Sequence, residues 1–203
     1  MHRPGALQSR ILLTAAVIPA EAGCMDTDNA YWIGVPAQRA TFDKLMGLMA
    51  CPTDADNDTG RQVDSVACNY FVAKGLEILY GVKDFTPDLN GKWLTANEIA
   101  NYVRSHTDVW TKLGEPITQS LLVDAAAGAA NGQPVIAVLK GDPHGHVAMI
   151  LAGDLKRSTT WNMNVPNSAA FSLNNVNKAY VFCRLSAAFS NPSDVGVYFR
   201  LKK

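Results

Sequence analysis

Residues 134–153 read PVIAVLKGDPHGHVAMILAG. Two apolar runs, 135–139 and 147–152, flank a polar turn that carries Asp142, Pro143, His144 and Gly145. Short apolar runs bounded by turn residues read as strands. The turn between them is too short for a helical crossover, so the pair is antiparallel. Three more β-prone runs follow, STTWNMNV, KAYVFCRL and VGVYFRL, again separated by turn residues.

The texture upstream is different. In 37–50, Phe42, Leu45, Met46 and Met49 recur at helical spacing, and Pro52 stops the helix. A second helix spans 65–80, with Phe71, Val72, Leu76 and Leu79 on one face, Asp64 or Ser65 as cap and Gly81 closing it. Residues 82–94 read as a loop, with Pro87 and an Asn90-Gly91 turn. Thr95-Ala96-Asn97-Glu98 is a capping box ahead of Ile99, Tyr102 and Val103. Residues 118–130 form an Ala-rich helix. Helices first and strands later give an α+β fold, with N-terminal helices packed on an antiparallel sheet of about five strands.

The chain has 203 residues, which suits one domain with its own core. Eighteen basic residues balance eighteen acidic ones, so there is no charge footprint for nucleic acid or anionic lipid. No P-loop, dinucleotide fingerprint or HExxH motif occurs. Asp54, Asp56, Asp58 and Gly60 resemble a calcium loop, but Gly60 comes one place late and Ser65 stands where a bidentate Glu belongs. That segment reads as a solvated acidic loop.

The start of the chain, MHRPGALQSRILLTAAVIPAEAGC, has a basic beginning, an apolar run at 11–20 and an Ala20-Glu21-Ala22 cleavage pattern. Residues 1–22 therefore read as a secretory signal peptide and 23–203 as the working domain. A lipoprotein signal ending at Cys24 and an ordinary amphipathic helix are the alternatives. Of the four cysteines, none forms a C-x-x-C pair. Cys24 and Cys183 could bridge the two ends; buried, unpaired thiols are the other reading.

One constellation can carry chemistry. Cys68 lies in the first turn of its helix, where backbone N–H groups and the helix dipole favour a thiolate. His146 begins a strand and can supply the imidazole that a thiol nucleophile needs. Asn162 is the first choice to orient that ring, and Asn164 the runner-up. The competing readings are a small inert core residue for Cys68 and a carbonyl-bonded ring for His146. His144 is a minor rival for the base, His106 suits a helix end, and Trp93 and Trp110 suit buried packing.

The stretch DSVACNYFVAKGLEILYGV resembles the nucleophile helix of NlpC-type, papain-like cell-wall cysteine peptidases. Closer still is the resemblance to the peptidoglycan amidase effectors of type VI secretion. These share a Cys helix, a Trp-Thr-Lys-Leu segment, an Ala/Gly-rich helix, an apolar strand ending Leu-Lys-Gly, and Gly-His-Val-Ala. Here those segments are Trp110-Thr111-Lys112-Leu113, 135–141 and Gly145-His146-Val147-Ala148, in that order. The resemblance covers about residues 64–165. It implies Cys68 as nucleophile, His146 as base and Asn162 in the third position. It also implies cleavage of the amide between D-glutamate and a diamino acid in peptidoglycan stem peptides. Ala67 stands where the wider family often has Asp, and Asn69-Tyr70 replaces Ser-Gly.

The expectation is a papain-like cysteine amidase, monomeric, secreted or periplasmic, needing no metal or cofactor. Its partner is the stem peptide, with an immunity protein if the protein is an effector, and neither nucleic acid nor membrane in the mature form. A transamidase using the same dyad and a non-catalytic wall-binding module are the alternatives.

Overall fold

The computed structural model describes residues 36–49, 68–171 and 179–201. The signal-like leader, Cys24, Cys51, the 54–60 acidic loop, Ala67 and the expected cap at Asp64 or Ser65 lie outside the described residues. The helices are α1 (Pro36–Met49), α2 (Cys68–Tyr80), the single turn α3 (Pro87–Asn90), α4 (Ala96–Ser105) and α5 (Gln119–Ala130). The strands are β1 (Trp110–Gly114), β2 (Val135–Leu139), β3 (His146–Ile150), β4 (Lys156–Ser158), β5 (Met163–Val165), β6 (Asn167–Ala170), β7 (Tyr180–Arg184) and β8 (Val195–Arg200).

The hairpin read from 134–153 is present. β2 and β3 pair antiparallel, from Val135 opposite Ile150 to Leu139 opposite His146. They are the central strands of a six-stranded sheet ordered β1-β8-β2-β3-β6-β7, and every neighbouring pair in it is antiparallel. β4 and β5 form a separate two-stranded ribbon. The α+β class is therefore as expected, with helices against an antiparallel sheet, but the sheet has one strand more than the sequence suggests.

Side chains alternate across a strand, so each central strand feeds two cores. On one face, Ile136, Val138, Val147, Met149 and Leu151 meet Leu45 of α1, Phe71, Val72 and Leu76 of α2, and Ile99 and Val103 of α4. On the other face, Val135, Ala137, Ala148 and Ile150 meet Leu121, Leu122, Ala125 and Ala129 of α5, together with Trp161, Val165 and Phe189. The sheet is thus sandwiched. The Ala-rich helix α5 does not join the earlier helices but covers the opposite face, where its small side chains allow close approach.

α2 lies directly on β3. A Cβ at Gly75 would fall 2.6 Å from Met149 Sδ, so a glycine is what lets helix and strand come this close. Buried Asp84 fastens one edge of the sheet. Its carboxylate accepts from Trp110 Nε1 at 2.9 Å and from Arg200 Nε and Nη2 at 2.7 and 3.1 Å. Those contacts tie the loop after α2 to β1 and β8. Cys183 is disulfide-bonded, its partner lying outside the described residues, whereas Cys68 is a free thiol.

Candidate active site

Cys68 is the first residue of α2, and its side chain packs at the margin of the core built by α1, α2 and α4. The sulfur sits against β3. Burial pushes the thiol pKa up, and the backbone N–H groups of Val147, Asn69 and Cys68 itself, all directed at the sulfur, pull it part of the way back. The contact with Val147 places the thiol at the strand residue next to His146.

That contact has a topological basis. Among the described residues, β6 pairs with β3 only at Met149 and Ile150. The first residues of β3 have no β6 partner on that side. The sulfur of Cys68 lies near this place, close enough to the Val147 N–H for that dipole to pull the thiol pKa down.

His146 leaves the strand on the face opposite Val147. Its half-buried ring meets Phe189 edge to face, with centroids 5.2 Å apart and planes at 66°. Burial lowers its pKa to about 4, so the imidazole is neutral at pH 7. No hydrogen bond joins the Cys68 sulfur to the His146 ring. The thiol on α2 and the imidazole on β3 thus lie on opposite faces of the strand, with burial disfavouring the charged form of each.

The third expected residue is placed differently. STTWNMNV is not one strand: it turns between β4 and β5, and Asn162 sits in that turn with φ 52°. Asn tolerates this left-handed backbone better than most residues. Its side chain is exposed, its Oδ1 accepts from Arg157 Nη2, and its carbonyl accepts from Arg157 Nη1 at 2.9 Å. Asn164 is exposed as well, and its backbone exchanges two hydrogen bonds of 2.9 Å with the Gln119 carboxamide. To serve the ring, Asn162 would have to exchange Arg157 for His146. The same segment reaches His146 indirectly instead: Trp161 Nε1 donates to the Phe189 carbonyl at 2.9 Å, and Phe189 backs the ring.

The other candidates behave as ordinary structure. His144 is exposed in the turn. His106 caps α4 and stacks on Tyr102 at 3.9 Å. Trp110 is fully buried. Trp93 packs edge-on to Tyr70 at 4.8 Å, two residues past Cys68. Among the described residues no group of three or more His, Cys, Asp or Glu could hold a metal ion, and no helix is long and apolar enough to cross a membrane. Phe189 and the Val147 N–H have no signal in the sequence, because each meets its partner through a contact between distant segments. Compared with known proteins, the chain matches no family model and no curated sequence.

Proposed function

We propose that this protein is a cysteine amidase that hydrolyses an amide bond of peptidoglycan stem peptides, with Cys68 as nucleophile and His146 as general base. The observation that carries this reading is the free Cys68 thiol at the start of α2, against the strand residue next to His146, with three backbone N–H groups directed at it.

In this reading the resting dyad is uncharged. The ring and the sulfur lie on opposite faces of β3, and substrate approach must bring them together around its first residue. His146 takes the thiol proton as sulfur attacks the amide carbonyl, and the negative charge develops on the carbonyl oxygen of the tetrahedral intermediate. The imidazolium then protonates the leaving amine. Water hydrolyses the thioester with His146 again as base. At rest the ring is neutral, its pKa lowered to about 4 by burial, and substrate binding must bring that pKa back toward the pH at which a general base works. The order of segments from the Cys helix to Gly-His-Val-Ala supports the D-glutamate to diamino acid bond as the target and a papain-like identity for the fold. The signal-like leader supports action outside the cytoplasm.

A second reading is a wall-binding module without catalysis. It draws on the burial of the same thiol, which raises its pKa rather than poising it as thiolate. One experiment separates the two: purified muropeptides are incubated with wild type and Cys68→Ala, and the fragments are identified by mass. A defined new amine with wild type, absent with Cys68→Ala, is the expected result. Identical fragment patterns for both proteins, with binding retained, would replace the amidase reading with the binding module.

A further inference from the structure

One short segment, 94–97, is tied at one end to the residue after Cys68 and at the other to the turn before His146. Asn69, only 2% exposed, donates from Nδ2 to the Leu94 carbonyl at 2.5 Å. Thr95 then starts α4 with a complete capping box: Thr95 Oγ1 accepts from the Glu98 N–H at 3.3 Å, and the Glu98 carboxylate accepts from the Thr95 N–H at 2.8 Å. This cap fixes the first turn of α4 against Leu94. Asn97, in that first turn, faces the 141–145 turn. Its Oδ1 accepts from the Gly141 N–H at 3.1 Å, and its Nδ2 donates to the carbonyls of Gly141 at 2.9 Å and Pro143 at 3.3 Å.

The fit at the other end of this turn is equally close. A Cβ at Gly145 would lie 2.5 Å from both Asn97 Oδ1 and the Leu139 carbonyl. The residue immediately before His146 is therefore seated on the Asn97 carboxamide with no room for a side chain. A carboxamide that accepts from the N–H and donates to the carbonyl of one residue holds the two peptide groups flanking that residue and fixes its orientation as well as its position.

We propose that Asn97 is a positioning residue, whose carboxamide clamps the 141–145 turn and so sets where the His146 ring begins relative to the Cys68 sulfur. This rests on reading Cys68 and His146 as a working pair. Asn97 touches neither side chain and acts only through the turn. The 94–97 segment thereby relates the nucleophile helix to the base strand by polar contacts, in addition to the apolar contact of α2 with β3.

The test is a double-mutant cycle on the full chain. The rate of muropeptide cleavage, as kcat/KM, is measured at neutral pH for wild type, Asn97→Ala, His146→Gln and the double variant. His146→Gln should slow cleavage by about a hundredfold, the scale of a lost general base. Asn97→Ala should slow it by about tenfold, as for a misplaced catalytic group, and should add nothing in the His146→Gln background. The His146 ring Cε1–H resonance should move in Asn97→Ala as the ring is released. Equal fold-changes for Asn97→Ala in both backgrounds, or an unmoved ring resonance, would overturn the positioning role while leaving the dyad standing. No effect of His146→Gln itself would overturn the dyad, and the clamp's role with it. If Asn97→Ala loses its cooperative melt, Asn97→Ser enters the same cycle and is judged by the same outcomes.

Discussion

Acidification should weaken this fold through a single ring. The His146 pKa falls to about 4 from an ordinary 6.5 because burial disfavours the imidazolium. At pH 7 and above, folded and unfolded chains both carry a neutral ring, and the difference contributes nothing. As pH drops below 6.5 the unfolded chain binds a proton that the native protein refuses, so stability is lost progressively. The loss levels off near pH 4, where the native ring protonates too. At about 1.4 kcal/mol per pKa unit, this gap corresponds to roughly 3 kcal/mol. The ring is half-buried, not sealed, and solvent screening reduces the figure to about 2 kcal/mol. That is a measurable part of a typical domain stability of about 5–15 kcal/mol. The assay is urea denaturation of wild type and His146→Gln at several pH values from about 7.5 to about 4.5. Carboxylates titrate alike in both proteins, so the difference between the two curves isolates the ring. The wild-type curve should fall away from the variant's by about 2 kcal/mol across this range. Parallel curves, or an NMR titration of the ring near its ordinary value, would show that burial does not hold it neutral.

Three other outcomes are expected. Alkylation of wild-type Cys68 should climb with pH to an inflection above that of an ordinary thiol, with no plateau on the acid side, because burial outweighs the three N–H groups; a plateau below neutrality would mean a preformed ion pair. Asp84→Ala should cost about 3–5 kcal/mol in urea melts, because it strands the Arg200 guanidinium and the buried Trp110 N–H. Asp84→Asn, which keeps the shape, should cost roughly 1–3 kcal/mol. Gly145→Ala should cost about 1–3 kcal/mol, since the new methyl meets a backbone carbonyl and the Asn97 carboxamide, and calorimetry would detect it.

The parts of the fold that the sequence makes legible are those where local pattern and tertiary role agree. The two apolar runs around 142–146 become β2 and β3, and the Thr95–Glu98 pattern becomes a capping box with both hydrogen bonds made. β1 has no clear strand signal because Lys112 interrupts its pattern; it is a strand because β8 lies beside it. β6 has none either, since Asn167-Ser168-Ala169-Ala170 has little β-propensity, yet all four residues are buried between β3 and β7. The segment 158–165 has a strand-like composition, but the left-handed backbone at Asn162 turns it back on itself. The Ala-rich composition of 118–130 marks α5 as a helix that can pack closely, without indicating which side of the sheet it covers.

The site divides along the same line. The position of Cys68 on a helix and of His146 at the start of a strand follow from local signals. The Val147 N–H at the sulfur, Phe189 behind the ring and Asn97 under the turn come from contacts spanning about forty or more positions. The Asn162 expectation gains no support from its hydrogen bonds, which go to Arg157.

Trp110 belongs to the core on the helical face of the sheet, and Trp161 to the core under α5. Each layer therefore carries its own intrinsic fluorophore, one hydrogen-bonded to a carboxylate and the other to a peptide carbonyl. In a background where Trp32 and Trp93 are already phenylalanine, replacing either indole leaves the emission of the other to report on its side. Whether the two halves of the sandwich come apart together or in sequence can then be followed without attaching any label.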